Sequence, residues 1–292
     1  MKILIAYDAS ESARAAITGL PRAGLPDDTN AVVLTAADVL PGLIRERESA
    51  KEPGGEMFGR ARAAALQAMT EAKGVAGEGA ERIAARFPAW SVTAEAIDDS
   101  PYWAFIERAR QLRSDLVVSG VRGRSMFEAA ILGSVSQNLL HYAHCSVRVV
   151  RGTAERSGRV RMVIGVDGSN GAAAAVSAVA ARKWPEGSEA RIVTAEHGLT
   201  QSILFGHPAA DRLPMVEKMT DELKRAGLSV TSVLRREDPK ELLLREAGEW
   251  DADCIFIGAR GLTRIERILL GSVSGAVASR ARCTVEVVRP AS

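Results

Sequence analysis

The stretch Gly258–Ser274, GARGLTRIERILLGSVS, repeats the spacing of Gly120–Ser136, GVRGRSMFEAAILGSVS: a glycine, two residues, a second glycine, nine residues, then Gly-Ser. Each copy follows a short apolar run, Asp115–Ser119 in one case and Cys254–Ile257 in the other, and leads into a helix-compatible segment. A loop repeated in the same context implies that the unit around it is duplicated, which restricts the chain to architectures built twice.

Read in order, the chain supports that duplication. Lys2–Tyr7 is an apolar run ending in Asp8-Ala9-Ser10, and Val160–Val166 ends in Asp167-Gly168-Ser169. Each reads as a buried strand followed by a helix N-terminus, with Ser10 or Ser12 available as a cap in the first copy. Further strands are expected at Ala31–Ala37, Ser91–Ile97, Asp115–Ser119 and Ser146–Val150, and again at Ala190–Ala195, Val230–Leu234, Asp253–Ile257 and Thr284–Val288. Helices alternate with them, two opening on Pro101 and Pro239, where a missing N–H costs nothing. Strict alternation points to a parallel sheet covered on both faces. Pro41–Gly55 reads as a loop, and Glu56–Ala72 as a helix that Gly74, Gly77 and Gly79 are expected to interrupt before it resumes through Arg86.

Asp8 and Asp167 lie 159 positions apart, whereas Gly120 and Gly258 lie 138 apart. The first copy therefore carries 21 extra residues between its second and third strands. The expected domains are residues 1–151, with an insertion at about 40–86, and residues 160–290, joined by the polar stretch Arg151–Arg159.

Bulk properties narrow the class. A chain of 292 residues, 47% hydrophobic and 25% charged, can bury two cores, and a net charge of +2 gives no bulk attraction to nucleic acid or membrane surfaces. Three cysteines form no disulfide framework and fit a reducing compartment, so a cytoplasmic protein is expected. No apolar run reaches membrane-spanning length.

In an open parallel sheet, ligands bind beyond the carboxyl ends of strands, where neighbouring connections leave in opposite directions. Asp8 and Asp167 end a first strand; Gly120 and Gly258 end a fourth. The first glycine would let a ligand approach the backbone, and Gly123 or Gly261 would turn the chain back. Gly133-Ser134 and Gly271-Ser272 open a helix whose free N–H groups favour an anion, with Ser136 and Ser274 as further donors. Arg122, Arg124, Arg260 and Arg264 are near enough in sequence to offset phosphate charge. A carboxylate for sugar or base and a donor-rich loop for phosphates describe a nucleotide site. The alternative is that the glycines serve tight packing and that the aspartate or serine is only a helix cap.

YDASESA, VDGSNGA, GVRG-x9-GSVS and GARG-x9-GSVS, with Cys145 and Cys283 before VRVV and VEVV, give the chain its resemblance to a tandem universal stress protein. That resemblance implies an α/β fold of two tandem Rossmann-like (adenine nucleotide alpha hydrolase-like) domains. Each would be a five-stranded parallel sheet of order 3-2-1-4-5 with helices on both faces. It also implies an internal pseudo-dimer through the last strands. A further homodimer of chains is expected because symmetric homo-oligomers are common, and a regulatory protein partner because bound ATP would change what the protein contacts. By position, Asp8 and Asp167 would contact adenosine, and Ala36 and Ala195 would stand where the family has valine beside adenine. Gly120, Gly123, Gly258 and Gly261 would wrap ribose and phosphates. Gly133, Ser134, Val135 and Ser136, with Gly271, Ser272, Val273 and Ser274, would hold the phosphates of ATP; Mg²⁺ would arrive with the nucleotide, with no metal ligand from the protein alone.

Other features point elsewhere more weakly. His141, His144 and Cys145 have a spacing a metal can use, although a small buried thiol at a strand start accounts for Cys145. Cys254 reads as core, and His197 and His207 have no partner pattern. No general base accompanies the glycine loop, so the expected function is nucleotide-dependent regulation with at most slow hydrolysis. A slow ATPase or phosphotransferase and an interaction module with vestigial sites are the alternatives.

Overall fold

The computed structural model describes residues 1–37, 39, 55–121, 132–152, 157–196, 212–260 and 270–290. In the first half, strands β1 (Lys2–Ala6), β2 (Asn30–Ala37), β3 (Ser91–Asp98), β4 (Leu116–Gly120) and β5 (Ser146–Val150) alternate with helices α1 (Glu11–Thr18), α2 (Gly55–Arg86), α3 (Pro101–Leu112) and α4 (Ser134–Tyr142). The second half runs β6 (Arg161–Gly165), α5 (Asn170–Ala180), β7 (Glu189–Ala195), α6 (Arg212–Arg225), β8 (Ser229–Arg235), α7 (Pro239–Glu249), β9 (Cys254–Gly258), α8 (Ser272–Arg280) and β10 (Thr284–Val288). The expected loop over residues 41–54 lies outside the described residues.

The strands form one ten-stranded sheet of order β3-β2-β1-β4-β5-β10-β9-β6-β7-β8. Each half thus has the order 3-2-1-4-5, and all its neighbours are parallel. The halves meet where β5 and β10 pair antiparallel, with Val149 opposite Val285 and Arg148 opposite Glu286. The carboxyl ends of the two half-sheets therefore point in opposite directions.

Period-two alternation sends the residues of β5 and β10 to different layers. Val147, Val149, Val285 and Val287 join one core that runs through both halves beneath α3, α4, α7 and α8. On the other face, Ile3, Ile5 and Val33 pack under α1 and α2, and Met162, Ile164 and Ile192 pack under α5 and α6 as a separate cluster. Among the described residues, no helix is long and apolar enough to cross a membrane.

One expectation is corrected. Gly74, Gly77 and Gly79 do not interrupt the insertion; α2 is a single 32-residue helix from Gly55 to Arg86. Its buried positions Ala72, Ala76, Gly79 and Ile83 follow the 4-3-4 spacing of one helix face. Packing of that stripe against β2 and β3 outweighs the poor intrinsic propensity of glycine. At 1.5 Å per residue the helix is about 48 Å long, against about 26 Å for an eight-residue strand. The helix is therefore longer than the strands it covers, and Met57 near its N-terminus is 78% exposed.

Candidate functional site

Each half has a switch point. The connection after β1 goes to α1 on one face, and the connection after the neighbouring β4 leads to α4 on the other. β6 with α5 and β9 with α8 repeat this arrangement. Asp8 and Asp167 stand at these points, both exposed. Asp8 Oδ1 accepts the Ser10 N–H at 3.0 Å, and Asp167 Oδ1 accepts the Ser169 N–H at 3.0 Å. The helix caps are the serines: Ser10 Oγ accepts from Ala13 N at 3.2 Å and Ser169 Oγ from Ala172 N at 3.1 Å. The aspartates are thus not caps; each uses one oxygen to shape the turn, and its other oxygen makes no hydrogen bond among the described residues.

Gly120 and Gly258 face a neighbour different from the one their spacing suggested. A Cβ at Gly120 would overlap the Ser12 carbonyl in the first turn of α1, and one at Gly258 would overlap Gly171 in the first turn of α5. Their missing side chains admit those helices against the strand ends, so the packing explanation holds for the first glycine of each loop. Gly171 is equally constrained, because its own Cβ would overlap the Arg260 carbonyl.

The Gly-Ser pairs form the opposite wall of each crevice. Gly133 (φ −64°, ψ 155°) and Gly271 (φ −66°, ψ 154°) are the N-caps of α4 and α8 and offer no capping side chain. The first ladder donors are Gln137 N to Gly133 O and Gly275 N to Gly271 O. The N–H groups of Ser134, Val135 and Ser136, and of Ser272, Val273 and Ser274, accordingly have no partner four residues back within their helices. Ser134 and Ser272 are exposed. Ser136 and Ser274 are buried, and their hydroxyls are committed elsewhere. Ser136 Oγ donates to the Gly120 carbonyl at 3.0 Å and lies 2.7 Å from Ser119 Oγ. Ser274 Oγ lies 3.0 Å from both the Ala259 and the Gly271 carbonyls. The expectation that these two hydroxyls add ligand donors is therefore corrected: they pin the helix to the strand end, and only their backbone N–H groups remain for an anion.

Ala36 and Ala195 are half-buried at the ends of β2 and β7 and pack against the shared core. The Arg260 carbonyl accepts from Ser169 Oγ at 3.3 Å, which ties the second glycine loop to α5. Arg122, Arg124, Gly123, Gly261 and Arg264 lie outside the described residues, as do His197 and His207. Gly271 and Ser272 also border a cleft of about 250 Å³ whose far wall is Gln137, Leu140 and His141 of α4.

Burial pushes Cys145 and Cys283 up to about 12 and Cys254 up to about 11. Arg151 and Arg289, each directly after a closing strand, were not among the sequence candidates, although both copies carry the arginine 138 positions apart. Arg289 donates to the Leu140 carbonyl at 2.6 Å and to Cys145 O at 3.3 Å, at the C-terminal end of α4. Arg151 donates to Ala278 O near the C-terminus of α8. Each half thus closes the helix whose other end faces the opposite half's crevice.

The fold defines a tandem parallel α/β protein with a duplicated switch point. The chain belongs to the universal stress protein family, whose model matches residues 1–151 and 159–289. It is 29% identical over 188 residues to a universal stress protein of Mycobacterium tuberculosis H37Rv, an alignment covering 60% of this chain and 61% of that one. It is also 29% identical over 196 residues to one from Mycolicibacterium smegmatis, covering 61% and 62%. The chain thus spans about three fifths of the length of these relatives. The crystal structure of a universal stress protein from Archaeoglobus fulgidus shares the fold, with a TM-score of 0.69 at 20% identity over 99% of this chain and 98% of that one.

Proposed function

We propose that this protein is a stress-response regulator that binds ATP, with Mg²⁺, in two crevices, one in each of the domains 1–151 and 160–290. One observation carries the reading. In both halves an exposed aspartate with a spare oxygen shares a switch point with a helix N-terminus whose first-turn N–H groups have no acceptor within the helix. The N–H groups and the helix dipole suit the phosphates, and the carboxylate suits ribose hydroxyls or the base amine. Asp8, Ala36, Gly120, Arg122, Gly123 and Gly133–Ser136 form the first site. Asp167, Ala195, Gly258, Arg260, Gly261 and Gly271–Ser274 form the second.

Bound ATP would engage the glycine loops and shift the protein toward the conformation its partners recognise. Catalysis beyond slow hydrolysis is not part of this reading. Calorimetric titration of the intact chain with Mg-ATP should give two equivalents per chain, and Gly271→Glu should remove one. A folded chain that gives neither heat nor a thermal shift with ATP overturns the proposal.

A further inference from the structure

The β5–β10 seam leaves the ten-stranded sheet with two outer edges, β3 and β8, and the two are built differently. β3 carries Glu95 and Asp98 within its length, and Arg108 of α3 holds Glu95 at 2.6 Å. Charged residues are one means by which folded proteins keep an edge strand from pairing. β8 has neither a charge nor a proline from Ser229 to Leu234, and its register with β7 runs unbroken from Ser229 to Arg235. Val230 and Val233 root the strand in the cores on the two faces of the sheet, while Ser229, Thr231, Ser232 and Leu234 are exposed.

Only one side of the β8 backbone is used. Ser229 N donates to Ser188 O at 3.3 Å, and Arg235 O accepts from Glu196 N at 2.7 Å, both on the β7 side. In a parallel pair the N–H and C=O of one residue point to the same side, and that side alternates along the strand. Ser229, Thr231, Val233 and Arg235 therefore bond toward β7. Val230, Ser232 and Leu234 turn their N–H and C=O groups outward, where no strand pairs with them among the described residues. The exposed Arg235 guanidinium donates to the Leu234 carbonyl at 3.1 Å, a contact that an incoming backbone N–H replaces.

We propose that β8 is where a second copy of this chain docks, the two β8 strands pairing antiparallel about a two-fold axis through Ser232. Only a register centred there uses the whole strand and sets outward groups against outward groups: Ser232 meets its own copy, and Val230 meets Leu234. Each such pair exchanges two N–H···O bonds. The side chains match in the same register. Val230 covers the exposed Leu234, and Thr231 stands beside Val233, apolar and β-branched pairs of the kind that stabilise a ladder. Arg235 and Arg236 fall opposite Ser229 and Leu228, which carry no charge. Beyond them Glu237, which Arg245 holds at 2.8 Å, and the exposed Asp238 run toward Lys224 and Arg225 at the end of α6 in the other copy. Opposite charges thus meet at both ends of the joint. The contact is isologous and closes at two copies, whereas β8 on β3 would be head-to-tail and extend into filaments. None of this depends on the nucleotide reading.

Sedimentation velocity of the full-length chain is the test. The parent should run at twice the mass of one chain, and Leu234→Lys and Ser232→Pro should each run as single chains. Leu234 is exposed and the Ser232 N–H points away from β7, so both variants keep the β7 ladder and should retain the parent circular dichroism spectrum. Ala94→Lys, the same kind of change on β3, should leave the mass doubled. The register has its own readout. Facing Cα atoms of a hydrogen-bonded antiparallel pair are about 5.5 Å apart, within disulfide reach. Ser232→Cys should therefore cross-link two chains on mild oxidation, and neither the parent, whose thiols are buried or half-buried, nor Ala94→Cys should. A parent that runs as a single chain overturns the inference, as does a doubled mass that survives Leu234→Lys or is lost in Ala94→Lys. A dimer in which Ser232→Cys stays uncross-linked overturns the pairing about Ser232.

Discussion

Ala9 and Gly168 occupy the same turn after the first strand of each half, and only the glycine suits it. Both are left-handed, with φ of 56° at Ala9 and 89° at Gly168. An alanine Cβ in that region costs roughly 1–2 kcal/mol, of which the stiffer unfolded chain returns about 0.4–1 kcal/mol. Ala9→Gly should therefore stabilise the protein by up to about 1 kcal/mol, and Gly168→Ala should destabilise it by a similar amount, read as shifts in the urea midpoint. No change for either would mean that the turn relaxes to a right-handed form. A second residue-scale prediction concerns pH. Burial, then the Arg289 and Arg110 charges, hold the His144 imidazole below its ordinary 6.5. The unfolded chain thus binds the proton more readily, so stability is full above about pH 6.5 and declines as pH falls through the window below it. His144→Gln should flatten that part of the stability–pH curve; an unaltered slope would place the titration elsewhere.

At the scale of elements, the three glycines of α2 are not equivalent. Gly74 and Gly77 face open space, whereas a Cβ at Gly79 would lie 2.9 Å from both the Tyr7 ring and Val33. Gly74→Ala should therefore add about 1 kcal/mol through helix propensity, and Gly79→Ala should cost roughly 1–3 kcal/mol by overpacking against the sheet. Thermal melts of the two single variants separate these outcomes, and equal shifts would contradict the packing. The same helix is tied to β1 through Glu78, which accepts from Tyr7 Oη at 3.2 Å, Arg14 at 3.3 Å and Arg82 at 3.0 Å. These contacts mark the limit of what the sequence discloses. The strands were legible because buried parallel strands are short apolar runs, and the crevice was legible because its aspartate, glycines and serines recur at fixed spacing. The continuity of α2 was not, since local propensity argues for a break and the compensating stripe packs on distant strands. The purpose of Gly120 was hidden for the same reason: its constraint comes from Ser12 in another element. The destinations of the Ser136 and Ser274 hydroxyls likewise depend on carbonyls that only the fold brings near.

For the whole molecule, the β5–β10 seam decides how the halves behave. It consumes the last-strand edge, so any pairing of chains must use another surface; the sheet's remaining edges are β3 and β8. One face of the seam is valine in a continuous core. The other holds Glu286, 0% exposed, between Arg148, whose Nη1 is 2.9 Å away, and Arg182, which grips both carboxylate oxygens and also donates to Ala23 O at 3.0 Å. Burial alone would push the Glu286 carboxyl up, but the two arginine charges outweigh it and hold it below its ordinary 4.5. The group still carries one excess positive charge, because Cys254, 3.5 Å from Arg148 Nη1, stays a neutral thiol; the Phe256 ring lies 5.3 Å from the Arg182 guanidinium and softens that excess. Arg148 and Glu286 belong to different halves, so the cluster is a specific cross-link. Glu286→Gln keeps the shape but leaves two desolvated guanidiniums with no counter-charge, which should cost about 3–5 kcal/mol. Because the folded carboxyl titrates below the unfolded one, this stabilisation is present above about pH 4.5 and is lost as pH falls through the folded value. The urea midpoint at neutral pH should therefore drop sharply in Glu286→Gln, and the gap from the parent should narrow in acid. A loss below about 1 kcal/mol, the range of an exposed pair, would mean that the valine face alone holds the two crevices together.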